Sequence, residues 1–422
     1  MRAFLDKQSA LLSQQVLDAY INSADFNGLH VRNLGPKVGA SLVCKLVAAR
    51  HIDIVRGDIH PNPHIKALEN EPPEVQIRKI NEKGLAGCLY PTEDLLQARG
   101  IGVDEVAPYT KALKMGSPQL SFRTFDLRAL EWYRSDPRFN FQIDDIHGRI
   151  YLKDGVNFDG RTVARDGLEF LEFGFAYDLE LNITIAVFLR YLHDLPPEQQ
   201  TELSKHELSG DYDLHPDFYR TSIIGDFPQG ISYYEAFIQE RFHINRICER
   251  VGRPFMFRTD FQPYNRPREF GTLLRPTRAE FRAFALLTDH LLSDDIDRKF
   301  FAGDIPLTRS LVDEDGNKES HPIGSLSLLE RWLKENFMHI ENCDSLVDRM
   351  LKSFRRVRQI RQKPAHKFED NEFDQKYIKE QRELIATAFE GLRILRQFME
   401  HHPDADGYEA PEHLRNAQIW TL

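Results

Sequence analysis

Four amphipathic stripes follow one another through the last third of the chain, and they constrain the fold more than any other feature. Between about 277 and 300, Phe281, Phe284, Leu287, Leu291 and Leu292 recur at helical spacing behind Thr277, a residue type that caps helix N-termini. A second stripe starts at Ser325 with Leu326, Leu329, Leu333 and Phe337. A third holds Leu346, Met350, Leu351, Phe354 and Val357, and a fourth, about 374–401, holds Ile378, Ile385, Phe389, Leu392 and Leu395. A lone helix cannot bury such a face, so four in succession are expected to close as a bundle.

The preceding sequence mixes both periods. Residues 9–21 read as a helix capped by Ser9, and Val38–Ala49 as a second helix. The alternation of Ile52 and Ile54 then reads as a strand. That order resembles a winged-helix module, whose helix enters a DNA major groove, but a plain packing domain is the favoured reading. Further on, FQIDDIHGRIYLKD reads as a hairpin with His147-Gly148 in its turn. Leu168–Leu192 reads as a long apolar helix closed by Pro196-Pro197, and Ser232–Val251 as another helix. Gly225 and Gly230 have the glycine spacing of a phosphate loop, but the lysine that meets the phosphates is missing. The expected fold is mainly α and multi-domain, with α+β N-terminal and middle parts. Its divisions are an N-terminal helical, winged-helix-like domain at 1–110, a middle α+β domain at 111–265, the bundle at 271–400 and a tail at 401–422.

A formal net charge of −10 excludes a uniformly basic nucleic-acid coat. Cys44, Cys88, Cys248 and Cys343 lie far apart without zinc-like pairing and read as reduced thiols. The apolar run Ile183–Leu189 is far short of the roughly 20 residues that span a bilayer. The opening residues lack the apolar core of a signal peptide. A cytoplasmic protein without a membrane partner is therefore expected. His60 and His64 have a metal-ligand spacing, but Pro61 and Pro63 oppose the helix that would use it, and neither a metal nor another cofactor is expected.

Against that acidic background, residues 349–367 carry eight cations and no acid: Arg349, Lys352, Arg355, Arg356, Arg358, Arg361, Lys363 and Lys367. Such a window concentrates phosphodiesters. Inside it lies Arg361-Gln-Lys-Pro-Ala-His366. Cleaving RNA without metal requires proton transfer from the 2′-hydroxyl and to the 5′-oxygen, which histidine performs near neutral pH. It also requires a cation on the phosphate, for which arginine offers a planar fork. The candidates are Arg361 and His366 for catalysis, and Arg355, Arg356, Arg358, Gln362, Lys363 and Lys367 for holding RNA.

A helical bundle with R-x4–6-H near the start of its last long helix resembles a HEPN domain. The polar Gln362 directly after the arginine and the Ala365-His366 ending are part of that likeness. Pro364 is its departure from the pattern. The resemblance covers about 271–400. It implies a metal-independent endoribonuclease working as a homodimer, with Arg361 and His366 as the catalytic pair. It further implies a prokaryotic toxin or antiviral-defence effector, with an antitoxin or trigger protein as a further partner. Arg396 with His401 or His402 also fits the spacing, but at the far end of the fourth helix, and is read as a decoy. Other readings stay open. Arg361 pairs in one of them with Glu369, Asp370 or Glu372 on a solvated face. In another the chain is a non-catalytic DNA- or RNA-binding regulator that dimerises through the bundle. A third is a metal-dependent hydrolase built on His60, His64 and nearby acids.

Overall fold

In a computed structural model of the chain, residues 7–36, 38–134, 136–153, 157–158, 161–162, 171–227, 230–312, 318–337, 341–362, 370–416 and 418–420 are described. The chain is mainly helical with several small sheets. It divides into two compact units, Met1–Pro228 and Gln229–Leu422.

The first unit opens with α1 (Lys7–Asn22), β1 (Leu29–His30), α2 (Ala40–Ala48), β2 (Ile52–Val55), α3 (Pro73–Lys83) and β3 (Cys88–Pro91). The strands form an antiparallel sheet in the order β1-β3-β2. Leu12, Val16, Val43, Leu46, Val47, Ile52 and Ile54 share one core with Ile80 and Leu89. Ile52 and Ile54 turn inward as their alternation requires, leaving Asp53 to accept from Asn70 and Gln76. Ser9 is not an N-cap. The buried stripe of α1 runs back through it, and it lies inside the helix with no exposed surface.

After α4 (Glu93–Ala98) and α5 (Pro108–Lys114), the unit builds a second sheet. Its chain order is β4 (Phe122–Phe125), α6 (Glu131–Arg134), β5 (Phe139–Ile143), β6 (His147–Leu152), the short pair β7 (Asn157–Phe158) and β8 (Arg161–Thr162), β9 (Leu171–Tyr177) and β10 (Ile183–Phe188). Then come α7 (Leu189–Leu192), α8 (Pro197–Ser204), β11 (Asp213–Leu214) and α9 (Pro216–Tyr219). The spatial order is β4-β10-β9-β6-β5, with β11 added to β9.

Two expectations fail in this sheet. The apolar run at Leu168–Leu192 is not a helix across its described residues. It is the antiparallel pair β9 and β10, with Ile185 opposite Phe175, followed by the single turn of α7. Every residue of β10 is buried, so it shows no alternation, and its β-branched Ile183, Thr184, Ile185 and Val187 favour the extended chain. Asp178 makes the break between the strands, its Oδ1 accepting from the Glu180 and Asn182 amides at 2.9 Å. The second failure concerns His147, which begins β6 instead of lying in the turn. Asp144 Oδ1 caps that turn by accepting the Ile146 and His147 amides.

The second unit holds α10 (Tyr233–Arg250), α11 (Arg278–Asp289), the hairpin β12 (Thr308–Val312) and β13 (Lys318–Pro322), α12 (Ser325–Phe337), α13 (Cys343–Gln362), α14 (Lys376–Glu400) and α15 (Glu412–Arg415). Ser232 caps α10 by accepting the Glu235 amide, and Thr277 caps α11 by accepting the Glu280 amide. Helices α11, α13 and α14 pack on one another, α12 joins through α13, and α10 lies against α14. Each expected stripe faces this core, including Phe284, Leu333, Met350, Phe354, Leu392 and Leu395. The helix from Thr277 is shorter than its stripe implied, because a π-turn over His290–Asp294 ends it. Residues 418–420 run beside Ile231, with the Trp420 amide donating to its carbonyl at 2.9 Å, so the C-terminal segment belongs to this unit.

Gly391 sets the approach of α14 to α13, since a Cβ there would lie 2.5 Å from Phe354 Cε1. Alanine in place of glycine favours a helix by up to ~1 kcal/mol, whereas overpacking costs about 1–3 kcal/mol. Gly391→Ala is therefore expected to lower the urea midpoint despite its better helix propensity. A raised midpoint would show that Phe354 moves aside.

Candidate functional site

The described part of the cationic window, 349–362, occupies the outer side of α13. Cys343, Val347, Met350, Leu351, Phe354 and Val357 take the buried positions, which leaves the intervening Arg and Lys residues outward. Most of this charge is matched. Arg349 donates to Glu390 at 2.7 Å and Arg355 to Glu330 at 2.6 Å. With Arg358 and Arg361, four of the six described cations of the window are ion-paired. Lys352 and Arg356 are exposed and form no ion pair among the described residues. Gln362 is exposed at the end of the helix. Lys363, His366 and Lys367 lie outside the described residues.

Arg358 and Arg361 converge on the π-turn that ends α11. Arg361 Nη1 donates to Asp289 Oδ2 at 2.7 Å and to Asp294 Oδ2 at 2.8 Å. Arg358 Nη2 donates to Ser293 Oγ at 2.8 Å and to Asp294 Oδ1 at 3.2 Å. Asp289 is fully buried, and the Ser293 hydroxyl donates to its Oδ1. His290 stands at the rim, its Nε2 3.5 Å from Asp294 Oδ2. The two carboxylates push the Arg361 guanidinium further toward its charged form.

Among the described residues the partners of Arg361 are thus acids of α11 and its π-turn, not Asp370 or Glu372; Glu369 lies outside the described residues. Glu372 instead accepts from Arg278 and Lys376, while Asp289 and Asp294 were not singled out by sequence. One signal for them exists: D-H-L-L-S-D-D places acids at a helix C-terminus, where the dipole disfavours them unless cations arrive from elsewhere.

Arg361 spends only Nη1 on these carboxylates. Its Nε and Nη2 make no hydrogen bond among the described residues, and its side chain is 34% exposed. The Nε–Nη2 edge presents two parallel N–H groups, the arrangement that meets a phosphate in bidentate fashion. One edge of the fork is anchored and the other is open.

The remaining sequence candidates are occupied. Arg396 is buried against Glu240 and Glu400, and the His401 ring bonds the Gln397 carbonyl at 2.7 Å. His60 Nδ1 accepts the Asn62 amide at 3.1 Å, and His64 Nδ1 lies 3.2 Å from the Gly28 carbonyl. Neither joins a group of three or more metal-ligating side chains among the described residues, and His64 Nδ1 lies 3.5 Å from Cys88 Sγ. The four cysteines are free thiols, three of them buried. Among the described residues no helix is long and apolar enough to cross a membrane. No family model, curated protein or solved structure matches the chain.

Proposed function

We propose that the chain is a metal-independent endoribonuclease of the HEPN type, its catalytic bundle formed by the helices of the second unit. Arg361 holds the scissile phosphate and His366 transfers protons. The 2′-oxygen attacks phosphorus, the bond to O5′ breaks, and a 2′,3′-cyclic phosphate and a 5′-hydroxyl are released. A homodimer supplies the second histidine that two proton transfers require. The biological setting in this reading is a toxin or antiviral effector, restrained by an antitoxin or released by a trigger protein. The observation that carries it is the Arg361 guanidinium, fixed through Nη1 on Asp289 and Asp294 with its Nε–Nη2 edge left for an anion. The test is cleavage of mixed tRNA and rRNA in EDTA, with cyclic-phosphate ends as the signature. Products that vanish on adding EDTA would refute it.

A second reading rests on the pairing of four of the six described cations in the window, which leaves less free charge than the sequence advertises. Here the chain is a non-catalytic DNA- or RNA-binding regulator. Its reader would be the N-terminal helices on their β1-β3-β2 sheet, with the bundle as dimerisation module. Binding without cleavage, unchanged in His366→Ala, would favour this reading.

A further inference from the structure

A second cluster lies in the first unit, away from the cationic window in sequence and independent of the ribonuclease reading. The loop after α1 brings Asp25 beside His193 and Asp194, which follow α7. One ligand atom from each of the three lies within 4.8 Å of the other two.

Both backbone segments are held. Gln119, itself buried, donates through Nε2 to the Asp25 and Phe26 carbonyls, each at 3.0 Å. Gln200, also buried, donates to the His193 and Leu195 carbonyls at 3.0 and 2.9 Å. The His193 amide closes on the Leu189 carbonyl, and the Phe26 ring packs edge-on against the imidazole at 5.4 Å.

The imidazole is the unusual member. Its side chain is only 11% exposed, and its Nε2 is buried without a hydrogen-bond partner among the described residues. A buried polar atom of this kind is destabilising unless something meets it. Asp194 Oδ1 is 3.5 Å away, too far for a well-formed hydrogen bond. That separation matches the ~3.4 Å edge of a tetrahedron of ligands held about 2.1 Å from a central ion. An imidazole nitrogen offers a metal ion a lone pair, and the carboxylates offer it negative charge. Arg190, 3.8 Å from Asp25 Oδ2, leaves the group with a net charge of −1 when both aspartates are ionised.

We infer that Asp25, His193 and Asp194 form a binding site for a divalent transition-metal ion, with Nε2 and two carboxylate oxygens as ligands. One nitrogen with two oxygens suits Mn²⁺ or Zn²⁺ better than Ca²⁺ or Mg²⁺. Three protein ligands leave coordination positions for water.

The test uses the full chain freed of metal by chelation and titrated with Mn²⁺, the free ion being followed by its EPR signal. The expected result is one bound ion per chain, with ¹⁴N coupling in pulsed EPR. His193→Ala should abolish that coupling. The exposed Asp194→Asn should weaken binding at least tenfold, with an unchanged far-UV spectrum showing that the fold persists. Failure of the wild type to bind Mn²⁺, or ¹⁴N coupling that survives in His193→Ala, would overturn the assignment. Neither readout involves RNA cleavage, so this site stands or falls apart from the reaction proposed for the second unit.

Discussion

Arg361→Ala is expected to lower RNA cleavage by about 10²–10³-fold, and His366→Ala by about 10²–10⁴-fold. The two losses have different origins. In the proposed reaction histidine supplies proton transfer, whereas arginine supplies donors aimed at charge that develops on the phosphate. Arg361→Lys separates charge from shape: it keeps the cation but loses the Nε–Nη2 edge, and should recover only a small part of the rate. Asp294→Asn probes the anchor. Asp289 still holds Nη1 at 2.7 Å, so this variant should lose no more than about tenfold, as a positioning residue would. The competing explanation is damage to the fold, since removing Arg361 leaves the buried Asp289 with Arg358 and Ser293 alone. An unfilled carboxylate partner costs about 1–3 kcal/mol, so rates belong beside far-UV spectra and urea midpoints of the same preparations. A folded Arg361→Ala that cleaves at the wild-type rate would remove Arg361 from the site.

What the sequence made legible follows from how local each signal is. The helices α11 to α14 were readable because a stripe and a cap repeat within a few residues, as Thr277 and the Phe281–Phe284 pair do. The strand β10 was unreadable by the same rule, because a strand buried on both faces loses its alternation and resembles a short apolar helix. The charge of the 349–367 window was legible, but its neutralisation was not. Glu330, Glu390, Asp289 and Asp294 reach it from three other helical segments, and only packing decides which acid meets which arginine. Likewise Asp25 meets His193 through tertiary structure alone, leaving adjacent His193-Asp194 as an unremarkable dipeptide. Sequence therefore supplied candidate chemistry at Arg361 without its supporting carboxylates, and gave no sign of the cluster in the first unit.

Arg396→Met is expected to destabilise the second unit by about 3–5 kcal/mol, a large share of the 5–15 kcal/mol that typical domains possess. Arg396 is 1% exposed and Glu240 is fully buried, and the guanidinium meets Glu240 through Nε and Nη2 while Nη1 takes Glu400 at 2.6 Å. The cost arises less from the lost attraction than from the fully buried carboxylate left behind between α10 and α14. Replacing both partners, as in Glu240→Leu with Arg396→Met, should recover most of the loss. The single variant should also acquire a pH dependence of defined sign. Burial already pushes the Glu240 carboxyl up against the pull of Arg396. Without the arginine the folded-state value rises further, so the folded form binds the Glu240 proton where the unfolded chain does not. Stability is then greatest below the ordinary glutamate range and falls as pH rises toward the folded-state value. His243, held down to about 4 by burial and by Arg396, shifts the same way when the arginine is lost. Urea denaturation should therefore show a larger loss at pH 8 than at pH 5.5 for Arg396→Met. With Glu240 replaced by leucine, the double variant should lose most of that dependence. An equal loss at both pH values in the single variant would mean that water reaches Glu240 once the arginine is gone.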